Sequence, residues 1–192
     1  MKSKLLFLDI ETGATGLDKS LLSAYFATFN QDFDLLGELD LKLIPDDGVF
    51  HVKAAPGHGL AINQINLIEH AKTAITYKEG STLLFKYLKS MFELEPKIML
   101  TPVGHNVKFD IIHLTDKLVS VGSWNSFVSY RTMDTCSIAK FLQFQGKLPS
   151  EATCGLQDLA KFFNVKINGD AHEAKADVLT CVEVFKNLMT VK

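Results

Sequence analysis

The chain has 192 residues, enough for one domain of ordinary size with a full hydrophobic core. Its composition is 47% hydrophobic and 22% charged, which excludes a disordered chain, and its apolar runs are far too short to cross a bilayer. With 20 basic and 22 acidic residues the net charge is −2, which argues against strong nonspecific affinity for nucleic acid.

Leu5 to Leu8 is a continuous apolar run, as expected of a strand buried on both faces, and Asp9 and Glu11 follow at its C-terminal end. A glycine-containing turn, Thr12 to Gly16, comes next. Leu21–Phe29 and Leu35–Ile44 read as two further strands joined by a polar turn, and Pro45-Asp46-Asp47-Gly48 ends the second. The segment 50–80 reads as irregular. Ser81 is expected to cap a helix that Pro96 closes. Ile98–Val103 is a fourth strand, and Gly104 leads into a helix from Val107 to about Leu118. A short strand over Tyr130–Asp134 precedes a helix over Cys136–Phe144, and helices over Leu156–Phe163 and Ala174–Met189 finish the chain. No repeat or linker divides it, so residues 1–192 are read as a single α/β domain, a mixed five-stranded sheet flanked by helices.

The three cysteines, Cys136, Cys154 and Cys181, lack metal-ligand spacing, and no apolar stretch of signal-peptide length follows the N-terminal lysines. The reading is a reduced, cytoplasmic protein. Arg131 is the only arginine, so bidentate arginine clamps on phosphate are not expected.

Three short motifs carry chemistry. In Asp9-x-Glu11, residues two apart on a strand share a face, so both carboxylates point to one spot, where like charges repel unless a cation lies between them. The bland alternative is a solvated surface pair. Asn106 and Asp110 have helical i, i+4 spacing, although an aspartate in a first helical turn is also favoured by the helix dipole alone. His172 and Asp177 are five apart and reach one cleft only if His172 lies at the entry to the last helix. Otherwise they are a surface histidine and a solvated aspartate. Hard cations such as Mg²⁺ take carboxylate oxygens, two of them can flank a phosphodiester, and a histidine beside the attacking water supplies a general base. Together the motifs indicate a nuclease.

In this order, D-I-E-T at 9–12, G-H-N-V-K-F-D at 104–110 and H-E-A-K-A-D at 172–177 resemble the DEDDh branch of the DnaQ-like 3′–5′ exonucleases. That family includes the proofreading epsilon subunit of DNA polymerase III, ribonuclease T and oligoribonuclease. Weaker echoes are L-A-I-N-Q-I at 60–65, M-D-T at 133–135 and G-L-Q-D-L-A at 155–160. The sibling branch carries tyrosine four residues before the last aspartate, where this chain has Glu173. Two departures are a first turn, Thr12 to Leu17, that is two residues longer, and Ser23 where the second strand usually has glutamate.

The resemblance implies a ribonuclease H-like fold and two divalent ions, Mg²⁺ or Mn²⁺. Asp9, Glu11, Asp110 and Asp177 would be the ligands and His172 the base. It places Thr12 and Leu17 against the terminal nucleotide, with Ile62 and Asn63 covering the same pocket and Asn106 and Phe109 lining its other side. The expected partner is a nucleic-acid 3′ end, single-stranded DNA before RNA, together with a DNA polymerase or replication protein. Alternatives are an RNA-trimming exonuclease and a non-catalytic nucleic-acid-binding domain.

Overall fold

Uninterrupted apolar sequence forms the central strand because helices cover both sides of it. The computed structural model describes residues 4–53, 63–149, 153–166 and 173–191. In β1 (Lys4–Thr12) every residue is buried except Asp9 and Glu11, which are half-buried at its C-terminal end. β1 pairs antiparallel with β2 (Leu21–Phe29), which pairs antiparallel with β3 (Leu35–Ile44). On its other side β1 pairs in parallel with β5 (Leu100–Gly104), and β5 with β6 (Met133–Asp134).

With β4 (Ile75–Thr76), the sheet has six strands among the described residues, in the order β4-β3-β2-β1-β5-β6, one more than the sequence indicated. The extra strand, β4, has two residues and lies parallel to β3, too short to show any alternation. The same stretch, read as irregular, also contains the one-turn helix α1 (Leu67–Ala71). Helix α2 (Tyr77–Glu93) begins before the expected cap at Ser81. Thr76 and Glu79 form a reciprocal capping box: the Thr76 hydroxyl accepts from the Glu79 amide at 3.3 Å and Glu79 accepts from the Thr76 amide at 2.9 Å.

Four more helices follow close to their expected positions or in unassigned sequence: α3 (Val107–Lys117), α4 (Val121–Asn125), α5 (Thr135–Phe144) and α6 (Leu156–Phe162). The last helix is α7 (Ala174–Thr190). Alternation along β1 divides the core. Leu6, Leu8 and Ile10 face α2 and α3, packing with Leu84, Leu88, Val107 and Leu114. Leu5 and Phe7 face α7, packing with Val178, Val182 and Phe185, and α5 and α6 lean on the far side of α7. Asp9 and Glu11 continue the α7-facing row.

Candidate active site

The strand end, one helix from each face of the sheet and a loop converge on a single cluster. Asp9 lies opposite Tyr25 and Glu11 opposite Ser23 in the β1–β2 register, so both carboxylates project toward the N-terminal turn of α7. That turn supplies Asp177, 8% exposed. Oxygen atoms of Asp9, Glu11 and Asp177 all lie within 4.8 Å of one another. Asp110, 3% exposed in the first turn of α3, meets β1 from the opposite face and accepts the Ile10 amide at 3.2 Å.

Burial, followed by the charges of Asp110, Glu11 and Asp177, pushes the Asp9 carboxyl well above the usual carboxylate range. Burial raises Glu11 to about 8, with the Asn63 hydrogen bond opposing the shift and Asp177 adding to it. Burial also raises Asp110, against the hydrogen bond from Ile10. Three carboxylates within 4.8 Å are hard oxygen donors whose repulsion a divalent cation would remove, and the span is comparable to the ~4.2 Å across a Mg²⁺ octahedron. The residues fit such an ion.

Several residues that shape the site escaped the sequence reading. Gln157 of α6 donates to Asp177 Oδ1 at 2.9 Å. Lys175 lies 5.2 Å from the Tyr25 ring centroid and 3.9 Å from Glu38, tying the start of α7 to β2 and β3. Asn106 is not inside α3 but precedes it in the left-handed conformation, φ 61°, and caps nothing with its side chain. The cap comes from Asp134, whose Oδ2 accepts the Val107 amide and whose Oδ1 accepts the Ser137 amide, both at 2.9 Å. His105 and the Thr135 hydroxyl are hydrogen-bonded at 2.9 Å beside it. Gly104 is required because a Cβ there would meet Val107 at 2.9 Å and the Leu8 carbonyl at 3.0 Å, so its close approach is to the protein's own β1. The M-D-T and G-L-Q-D-L-A segments were the only sequence signals for Asp134 and Gln157.

The expected substrate-side residues surround the carboxylates unevenly. Thr12 is buried at the end of β1, beside an irregularity in its pairing with β2. Asn63 donates to Glu11 at 3.2 Å and to the Thr12 carbonyl at 3.1 Å, which holds the 63–66 loop over the strand end. Leu17 is 42% exposed and Phe109 36%, and the Phe109 ring lies 4.4 Å from the His113 ring. A cavity of about 500 Å³ extends from Glu11 and Asn63 past Ser23 and Lys42 to α1 and Lys175. His172 and Ile62 fall outside the described residues.

No protein-family model and no curated protein matches the chain. Solved structures match it by fold. An exonuclease I from Methylocaldum szegediense superimposes with a TM-score of 0.71 at 16% identity, covering 95% of this chain and 39% of its own. The nuclease domain of 3′hExo, a DEDDh family member bound to rAMP, gives 0.64 at 11% identity, covering 97% of this chain and 92% of its own. Pop2p of S. pombe, in its Mg²⁺ and Mn²⁺ bound form, gives 0.66 at 12% identity, covering 97% and 82%. The chain thus spans well under half of the exonuclease I and nearly all of the 3′hExo domain. Its fold is the ribonuclease H-like α/β fold of the DEDDh 3′-exonucleases. No helix among the described residues is long and apolar enough to cross a membrane.

Proposed function

We propose that this chain is a metal-dependent 3′–5′ exonuclease whose single domain, residues 1–192, releases nucleoside 5′-monophosphates from a nucleic-acid 3′ end, single-stranded DNA being favoured. The observation that carries it is the convergence of Asp9, Glu11 and Asp177 oxygens within 4.8 Å, with buried Asp110 against the same strand. The exonuclease fold of the structural neighbours supports it.

Two bound Mg²⁺ or Mn²⁺ ions would supply Lewis-acid activation of the attacking water and of the leaving oxygen. Asp9 would serve both ions, Glu11 and Asp177 the one on the water side, and Asp110 the other. His172 takes the water's proton, the general-base task that an imidazole beside the attacking water performs. Thr12 and Leu17 hold the terminal nucleotide from the strand end, Asn106 and Phe109 from the start of α3 and the residue before it, and Ile62 with Asn63 covers it. The exposed Phe109 ring stacks on a base without reading its sequence.

The test uses a 5′-labelled single-stranded DNA oligonucleotide with Mg²⁺, Mn²⁺ or EDTA, and compares the wild type with Asp9→Ala. The expected result is a metal-dependent ladder shortening from the 3′ end, absent in the variant. Absence of cleavage of both DNA and a matched RNA in either metal would refute the enzyme reading.

A second reading, cleavage of RNA, is favoured by the rAMP bound to the 3′hExo domain. The outcome turns on whether the cleft accepts a 2′-hydroxyl, and rates on matched DNA and RNA decide it. A DNA polymerase or replication protein is the partner that a proofreading role would require.

A further inference from the structure

One neutral side chain contacts the metal-ligand cluster from behind, at a cost that packing does not explain. Gln157 lies in the first turn of α6, a helix locked against α7 through Leu159 and Ala160 on one side and Val184 and Leu188 on the other. Its Nε2 donates to Asp177 Oδ1 at 2.9 Å. Its Oε1 is inaccessible to solvent and has no hydrogen-bond partner among the described residues. Burying a carbonyl without a donor is unfavourable, and methionine or leucine would fill the same space without doing so. What glutamine offers that they do not is the hydrogen bond to Asp177.

We infer that Gln157 is a positioning residue that fixes the Asp177 carboxylate for a divalent cation and so sets the affinity of the site for metal. The inference rests on the exonuclease reading above. A carboxylate only accepts, so the amide nitrogen must face it, and that orientation in turn strands Oε1. A lysine or arginine at this place would also orient Asp177, but would neutralise the charge that the cation needs. The amide restrains the carboxylate while leaving its full charge for the metal. Removing an outer partner of this kind weakens metal binding by about 10–100-fold.

The experiment is calorimetric titration of the full chain with Mn²⁺, without nucleic acid, on wild type, Gln157→Met and Asp177→Asn, with Gln157→Leu as a second variant should methionine fail to fold. Melting temperatures in EDTA and the Mn²⁺ dependence of exonuclease activity accompany it. The expected result is Mn²⁺ binding by wild type, weakened about 10–100-fold in Gln157→Met, whose metal-free melting temperature does not fall. The activity deficit is then largest at low Mn²⁺ and shrinks as Mn²⁺ rises. Equal affinity in wild type and variant overturns the positioning role. So does a lowered metal-free melting temperature with an activity deficit that Mn²⁺ does not relieve, the signature of a purely structural residue. Failure of the wild type itself to bind Mn²⁺ overturns the exonuclease reading on which the inference stands, and Asp177→Asn separates the two failures by reporting binding elsewhere on the chain.

Discussion

Replacing Glu11 with glutamine should stabilise the metal-free protein at high pH and destabilise the metal-loaded one. Burial first, then the neighbouring Asp177, raises the Glu11 pKa from 4.5 to about 8 in the folded chain. Its folded form therefore binds a proton more tightly than its unfolded form. The stability linked to that proton is fully present below the unfolded value of 4.5 and is lost as pH rises through 8. At about 1.4 kcal/mol per pH unit, the difference between 4.5 and 8 sets a ceiling of about 5 kcal/mol, reduced by solvent reaching Glu11 through the open cleft. Glutamine removes the titration but keeps an acceptor for Asn63, whose amide lies 3.2 Å from Glu11.

In EDTA the variant and wild type should melt together near pH 5. By pH 9 the variant should melt higher by on the order of 5 °C, since 1 kcal/mol moves a chain of this size by roughly 2–4 °C. Saturating Mn²⁺ should reverse the order, because only wild type offers the full ligand set and gains its binding energy. Differential scanning calorimetry at several pH values, with and without Mn²⁺, reads both arms. A gap in EDTA that does not widen with pH would refute the claim that Glu11 is held against its charge.

Asp134→Ala removes the acceptors for the Val107 and Ser137 amides, two helix caps at about 1 kcal/mol each, so the melting temperature should fall by roughly 4–8 °C. An unchanged melting curve would show that water replaces both caps. Phe109→Ala should lower the melting temperature by only about 2–4 °C, roughly 1 kcal/mol of packing against His113, while raising KM for a single-stranded oligonucleotide. Loss of one base stack is worth about 1–3 kcal/mol, or roughly 5–150-fold, and an unaltered KM in steady-state assays would remove Phe109 from the substrate path.

What the sequence revealed and what it concealed follow a physical division. Asp9 and Glu11 could be placed because strand alternation is local: two residues apart means one face, and the apolar run before them fixed the burial of the strand. The helices α3, α5, α6 and α7 were placed from the sequence, α7 by the helical spacing of Val178, Val182, Phe185 and Met189. Lys4 was not, because it opens an apolar run yet is buried, its amine donating to the Met91, Phe92 and Glu95 carbonyls at the end of α2. That bond spans some 90 residues and has no local signal. Asp134 and Gln157 showed only as parts of the M-D-T and G-L-Q-D-L-A segments, and what each does at the site stayed hidden because it acts there on a partner at least 20 residues distant. Ser81 misled because hydroxyl residues are common inside helices, whereas Thr76 carries its confirming Glu79 three residues on.

The same division explains why the site is unfavourable without a cation. Each element at the cluster is held mainly by contacts other than those of the cluster's carboxylates: β1 by its two apolar faces, α3 by the Asp134 cap and its packing, α7 by Phe185, Val182 and the Lys175 contact with β2. Those contacts bring together charges that would otherwise separate, and burial pushes Asp9, Glu11 and Asp110 all toward the protonated form. The scaffold therefore holds the carboxylates in place before any ion arrives, and a divalent cation relieves at once the repulsion among residues from β1, α3 and α7. Metal affinity and fold stability become one quantity, read from opposite sides. Asp9→Ala should consequently abolish cleavage and raise the metal-free melting temperature, the reverse of what loss of an ordinary buried polar contact produces.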